Sequence, residues 1–143
     1  MEQASDLRQT AEKLLKRDRF AAENGISLLE FRPGYARARM QLSQRHRNGF
    51  GAVQGGATYT LADFTFAAAS NAKGRLTVSS SAHVSYFRPP QGKSLTAEAK
   101  EISAGNRLCT YNVDVFDEDG TLAARCTING YITSKRLEEA GDA

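Results

Sequence analysis

The segment GGATYTLADFTFAAASN, Gly55 to Asn71, is apolar nearly all round. A helix with no polar face to offer water is buried on most sides. One long helix can be enclosed in this way only if a sheet curls around it. Asn71 and Gly74 mark where this helix stops. The rest of the chain therefore has to supply the sheet, and its patterning does so. Ile26, Leu28 and Glu30 alternate with Ser27, Leu29 and Phe31, after which Pro33-Gly34 turns the chain. Ala36, Ala38, Met40 and Leu42 alternate with Arg37, Arg39 and Gln41, a period of two.

Beyond the helix, Leu76 to Phe87 reads as extended and ends at Arg88-Pro89-Pro90. Three further strands carry Leu95, Ala97 and Ala99; then Cys109, Tyr111, Val113 and Val115; then Leu122, Ala124, Cys126, Ile128 and Ile132. The turns at Gly105-Asn106 and Glu118-Asp119-Gly120 are too short for crossovers, so these strands are antiparallel. Residues 6 to 22 read as an amphipathic helix capped by Ser5 or Asp6 and stopped by Asn24-Gly25. The tail SKRLEEAGDA is polar and expected to fray. The expected class is α+β: a long central helix wrapped by a curved antiparallel β-sheet, plus an N-terminal helix, in a single domain over 1–143. Exposed edge strands on such a sheet call for a second protomer.

Composition narrows the function classes. With 41% apolar and 24% charged residues, a chain of 143 residues can bury its own core without metal or disulfides. Cys109 and Cys126 lie in strand-like runs and read as buried thiols. No apolar run approaches the roughly 20 residues of a membrane span. The N-terminal segment contains acids and lacks an apolar core, so a cytoplasmic location is expected. Nineteen basic residues are dispersed among 16 acidic ones, giving a net charge of +3. That distribution argues against a nucleic-acid surface and suits a small polyanionic ligand.

Asp63 is the one charged residue between Arg47 and Lys73. A carboxylate in an apolar helix persists when it is hydrogen-bonded, lies where the helix surfaces, or is held in a cleft as nucleophile or general base. Partial desolvation would raise its pKa above about 3.9 and make it a stronger base. Gln54-Gly55-Gly56 opens the same helix. First-turn N–H groups have no intrahelical partner and favour negative charge, and glycines let a ligand approach them closely. The pair makes either a tight turn or an oxyanion-binding site. With Asn48 and Gln54 just upstream and Asp63 two turns downstream, the site is the favoured reading.

Asn48-Gly49, Gln54-Gly55-Gly56 and Leu61-Ala62-Asp63, with SSSAHVSYFRP from Ser79 to Pro89, resemble the signature of the PaaI-type (phenylacetic acid degradation) hotdog thioesterases. The resemblance implies a hotdog fold, a homodimer with sites at the subunit interface, commonly paired into a homotetramer, and hydrolysis of acyl-CoA thioesters. It implies no metal and no cofactor, coenzyme A being part of the substrate, while the charge and hydropathy patterns above lead us to expect no nucleic acid and no membrane as partners. Carried over, Asp63 is the catalytic carboxylate, acting from the facing subunit. The Gly55 N–H polarises the thioester carbonyl. Asn48 positions water or the carboxylate, and Ser80 or Ser81 holds the water. Arg88, Asn106 and Arg107 are candidates for the coenzyme A phosphates. The family's usual histidine is Gln54 here. Glutamine cannot titrate near neutral pH, but it can orient a carbonyl by hydrogen bonding.

A non-catalytic acyl-CoA binding protein and a hotdog hydratase or dehydratase are the alternatives. The latter generally needs a histidine beside the acid, and none is near Asp63 in sequence. His46 reads as a solvated loop residue and His83 as a packing residue; neither has a companion at metal-ligand spacing. Tyr59, Phe64, Phe66 and Phe87 read as core residues, or alternatively as an aryl pocket.

Overall fold

A computed structural model describes residues 2–140. Helices α1 (Glu2–Lys16) and α2 (Arg19–Glu23) lead into strands β1 (Ile26–Arg32) and β2 (Tyr35–Gln41). One turn of 3-10 helix (Gln44–His46) and a loop precede α3 (Gly55–Asn71). Strands β3 (Arg75–Tyr86), β4 (Ser94–Ala104), β5 (Leu108–Asp117) and β6 (Leu122–Arg136) follow, then a short α4 (Leu137–Ala140). Every strand pair is antiparallel, in the order β1-β2-β4-β5-β6-β3. The expected α+β architecture is present: α3 packs against all six strands, which wrap around it.

Small side chains make that wrapping possible. Ala36, Ala38, Ala97 and Ala99 on the strands and Ala62, Ala68 and Ala69 on the helix are all buried. Their size lets backbone approach backbone at interior packing density. Leu61 and Phe66 point from α3 into the core, each contributing about 1.5–3 kcal/mol by burial. The Phe66 ring meets Tyr111 edge-on, with centroids 5.3 Å apart. Opposite it, Gly130 is required: a Cβ there would come within 2.8 Å of both Phe66 Cζ and Cys109 Sγ.

Two of the sheet's register shifts move residues that the sequence singled out. In β1, Leu28 pairs with Ala38 and Glu30 with Arg37, leaving Leu29 as an extra residue. The alternation expected from the sequence therefore breaks, and Phe31 becomes the buried residue. In β3, Ser79 pairs with Gly130 and Ser81 with Asn129, leaving Ser80 extra. Ser79 thus takes the inner position opposite Gly130, while Ser81 takes the outer one opposite Asn129.

The N-terminal helix differs from the continuous 6–22 expected. Arg17 and Asp18 donate to the carbonyls of Leu14 and Leu15, tightening and ending α1. Asp18 then caps α2, its carboxylate accepting from the Ala21 N–H at 2.9 Å. Asp's preference for a cap wins over helix continuity. Asp6 lies within α1 rather than capping it, and the Ser5 side chain is outside the described residues. The tail does not fray where it is described: Leu137 is 2% exposed and its N–H donates to the Gly74 carbonyl at 2.9 Å. Residues 141–143 lie outside the description. No described helix is long and apolar enough to cross a membrane.

Candidate active site

The loop before α3 is built on His46 and Asn48. His46, expected to be solvated, is 4% exposed. Its Nε2 donates to the Asn24 carbonyl at 2.9 Å, and its Nδ1 accepts from the Ser43 N–H at 3.0 Å. Both ring nitrogens are committed to holding the loop on the end of α2. The Asn48 side-chain oxygen accepts from the N–H groups of Phe50 (2.9 Å) and Ala52 (3.1 Å). That oxygen closes the loop, so only its amide nitrogen is left to meet a ligand. Gln54 then enters α3 with an extended backbone (φ −62°, ψ 132°), its N–H donating to the His46 carbonyl at 2.7 Å. Its side chain is exposed and caps nothing.

The consequence is a helix start with bare donors. Among the described residues, no acceptor meets the N–H of Gly55 or Gly56. The Tyr86 hydroxyl donates to the Gly55 carbonyl at 3.0 Å, and a Cβ on Gly55 would sit 3.2 Å from the Tyr86 ring. Glycine at 55 therefore gives Tyr86 its place. Beside them a cavity of about 300 Å³ is lined by Gly55, Thr58, Phe87, Arg88, Pro90 and Ala124 among others.

Asp63 lies two turns further along α3, partly buried. Among the described residues no cation pairs with it. Burial lifts its carboxyl above the ordinary carboxylate range, the Asp18 charge pushes the same way, and a hydrogen bond with the Ser79 side chain works against both. Tyr59, one turn earlier, has its phenol raised by burial and then by the Asp63 charge. A carboxylate in this condition is short of water and of counter-charge, which makes it a better base than an exposed aspartate.

The structure brings some of the expected residues together and separates others. Gly55 and Arg88 share one cavity. Ser80 and Ser81 do not turn to Asp63: Ser80 donates to the Asn129 carbonyl and Ser81 accepts from the Asn129 side chain. Ser79 is the serine beside Asp63, and only the bulge, invisible in the sequence, selects it. Asn106 accepts from Arg75 at 3.2 Å and Arg107 donates to the Tyr131 hydroxyl at 3.2 Å, both at the β4–β5 turn. Tyr86 pairs with Ala124 and Leu108 with Tyr131. Seven residues of β6 thus separate Arg88's end of the sheet from that turn, about 23 Å. Within one chain the two groups cannot hold the same phosphates. Asp63 and Gly55 are likewise about 12 Å apart along α3, eight residues at 1.5 Å each.

Phe64 and Phe66 are core residues, whereas Phe87 is exposed and lines the cavity. His83, read as a packing residue, is exposed on β3 with its Nε2 3.4 Å from the Ser85 hydroxyl. Its bulge-shifted register, opposite Thr127, puts it on the outer face. Cys109 and Cys126 are buried free thiols. Burial pushes the Cys126 thiol up to about 11. Among the described residues, no group of three or more potential metal ligands occurs.

The profile of the thioesterase superfamily matches residues 50–124, just over half of the chain, from the loop through the start of β6. A protein of Archaeoglobus fulgidus with a provisional esterase assignment is 33% identical over 112 residues, covering 78% of this chain and 73% of that protein. The acyl-coenzyme A thioesterase PaaI of Escherichia coli is 29% identical over 111 residues, covering 77% and 79%. The solved structure of E. coli PaaI superposes with a TM-score of 0.87 at 24% identity, over 93% of this chain and 97% of that one. A hypothetical thioesterase of Streptococcus pneumoniae, solved with coenzyme A, superposes with a TM-score of 0.80 at 20% identity, over 87% and 98%. With the bare amides of Gly55 and Gly56 and the half-buried Asp63 on one enclosed helix, the chain belongs to the thioesterase superfamily, a family of thioester hydrolases, and has its hotdog fold in the PaaI-type form.

Proposed function

We propose that the protein hydrolyses acyl-CoA thioesters, with Asp63 as the reacting carboxylate and the Gly55 N–H as donor to the thioester oxygen. The observation that carries this is Asp63 itself, partly buried, raised in pKa by burial, and without a cation among the described residues. The names of its relatives agree: E. coli PaaI is an acyl-CoA thioesterase, and the S. pneumoniae protein was solved with coenzyme A.

The thioester carbonyl oxygen lies against the first-turn amides of α3, which stabilise the negative charge that develops on it. Gln54, exposed at the helix entrance, orients the same carbonyl. Asp63 attacks the carbonyl carbon or takes the proton of the water that does. The C–S bond breaks and the thiolate of coenzyme A departs and is protonated; where water attacked, the free acid forms directly, and where Asp63 attacked, water then hydrolyses the acyl–Asp63 anhydride to the free acid and restores the carboxylate. One carboxylate cannot reach a carbonyl held about 12 Å away on its own helix, so Asp63 acts on a substrate held by the Gly55 of a second protomer. The long exposed edge of β3 is the natural seam for that homodimer, and pairing of dimers into a tetramer belongs to the same proposal. Asn48 contributes its free amide and Ser79 steadies Asp63. Arg88 receives a coenzyme A phosphate at the mouth of the cavity.

A panel of aryl-, short- and medium-chain acyl-CoAs with thiol detection tests the reading and picks out the acyl group. Asp63→Asn should lower kcat on the best substrate by at least about a hundredfold. Turnover that survives this change removes Asp63 from the mechanism. Tight acyl-CoA binding without thiol release in the unaltered protein would point instead to a carrier. Loss or gain of enoyl absorbance without thiol release would point instead to a hydratase or dehydratase.

A further inference from the structure

The tyrosine at the end of β3 has a role that the motif does not describe. The Tyr86 hydroxyl donates to the Gly55 carbonyl at 3.0 Å, and its ring fills the space that a side chain on Gly55 would need. The Gly55 carbonyl and the Gly56 N–H belong to one peptide unit. A hydrogen bond to the carbonyl draws electron density from that unit and strengthens its N–H as a donor. The Gly56 N–H lies in the first turn of α3, where it points out of the helix, and no acceptor meets it among the described residues. Burial, then the neighbouring Cys126, raises the Tyr86 phenol, so it stays protonated and able to donate near neutral pH. Tyr86 also lines the cavity beside Gly55.

We propose that Tyr86 is a positioning residue: through the Gly55 carbonyl it fixes and polarises the Gly56 N–H, which acts beside the Gly55 N–H as a second donor to the thioester oxygen. This rests on the hydrolytic reading above. Removing one oxyanion donor typically costs 10²–10³ in kcat, and one cooperative bond adds about 10–30% to a donor's strength. Tyr86→Phe, which keeps the ring, should therefore lower kcat roughly two- to eightfold with KM nearly unchanged.

The test pairs thiol release with the infrared carbonyl stretch of an acyl-CoA bound to the slow Asp63→Asn background. Adding Tyr86→Phe should move the stretch back toward that of free thioester. Gly56→Pro deletes the N–H in the first helical turn and should cut kcat about a hundredfold. In that background Tyr86→Phe should add nothing. Thiol release by the unaltered protein, with kcat and stretch both indifferent to Tyr86→Phe, overturns the proposal and leaves hydrolysis standing. An undiminished effect of Tyr86→Phe in the Gly56→Pro background overturns it too. If Gly56→Pro does not fold, the stretch alone decides: a shift on Tyr86→Phe upholds the second donor, and none rejects it; an unaltered protein that releases no thiol overturns the proposal together with the hydrolytic reading.

Discussion

A half-buried carboxyl with no counter-ion gives Asp63 a stability signature as well as a chemical one. Because its pKa is raised above 3.8, it holds a proton more readily in the folded chain than in the unfolded one. Its contribution to stability is then complete at low pH and is lost as pH rises from 3.8 through the raised folded value. At neutral pH the ionised group is a burden kept for function. Asp63→Asn should therefore raise Tm at pH 7 by about 2–4 °C while cutting turnover at least about a hundredfold, with the gain shrinking as pH falls toward 3.8. Thermal melts across pH check this; a variant equally or less stable at pH 7 contradicts it. The charge was legible in the sequence because it interrupts an apolar helix. Ser79 was not, because one extra residue in β3 turns the serine run by half a period.

At the scale of elements, α2 is tied to the site by its cap. Asp18 holds the start of α2 through Ala21, and its charge raises the Asp63 pKa. The two effects separate by substitution. Asp18→Ala loses the cap and should cost about 1 kcal/mol in urea denaturation. Asp18→Asn keeps a good cap and should cost little. Both remove the charge, so both should move the acid limb of the kcat/KM profile to lower pH. A limb that stays in place in both variants would show that Asp18 does not reach the carboxylate in solution. The strands read from a period of two are all present, although in β1 the alternation breaks at Leu29. The break between α1 and α2 was not readable, because Asp18 is an unremarkable polar residue until its backbone leaves the helix.

For the whole molecule, the distance between Gly55 and Asp63 makes activity a property of two chains. Gly55→Pro removes the proposed donor at the first helical position, which suits the extended Gln54 backbone, and its Cβ, 3.2 Å from the Tyr86 ring, displaces that ring from the same half of the site. Gly55→Pro and Asp63→Asn should each be inactive alone. Co-expressed, they should recover about a quarter of wild-type turnover, since half the random dimers are mixed and each mixed dimer has one intact site. No recovery in a mixture shown to contain mixed dimers would place the site within one protomer.

The sequence alone determined the enclosed helix, the antiparallel strands, the isolated acid and the glycine pair. Each is a matter of local composition and period, which any fold of this chain must honour. It did not determine which side chains face one another. The bulges at Leu29 and Ser80 shift the strand phase, pairing along β6 parts Arg88 from Asn106 and Arg107, and tertiary contacts recruit His46 and Tyr86 to shape the helix entrance. Those choices were left to the tertiary structure because they depend on register and on close packing between segments far apart in the chain.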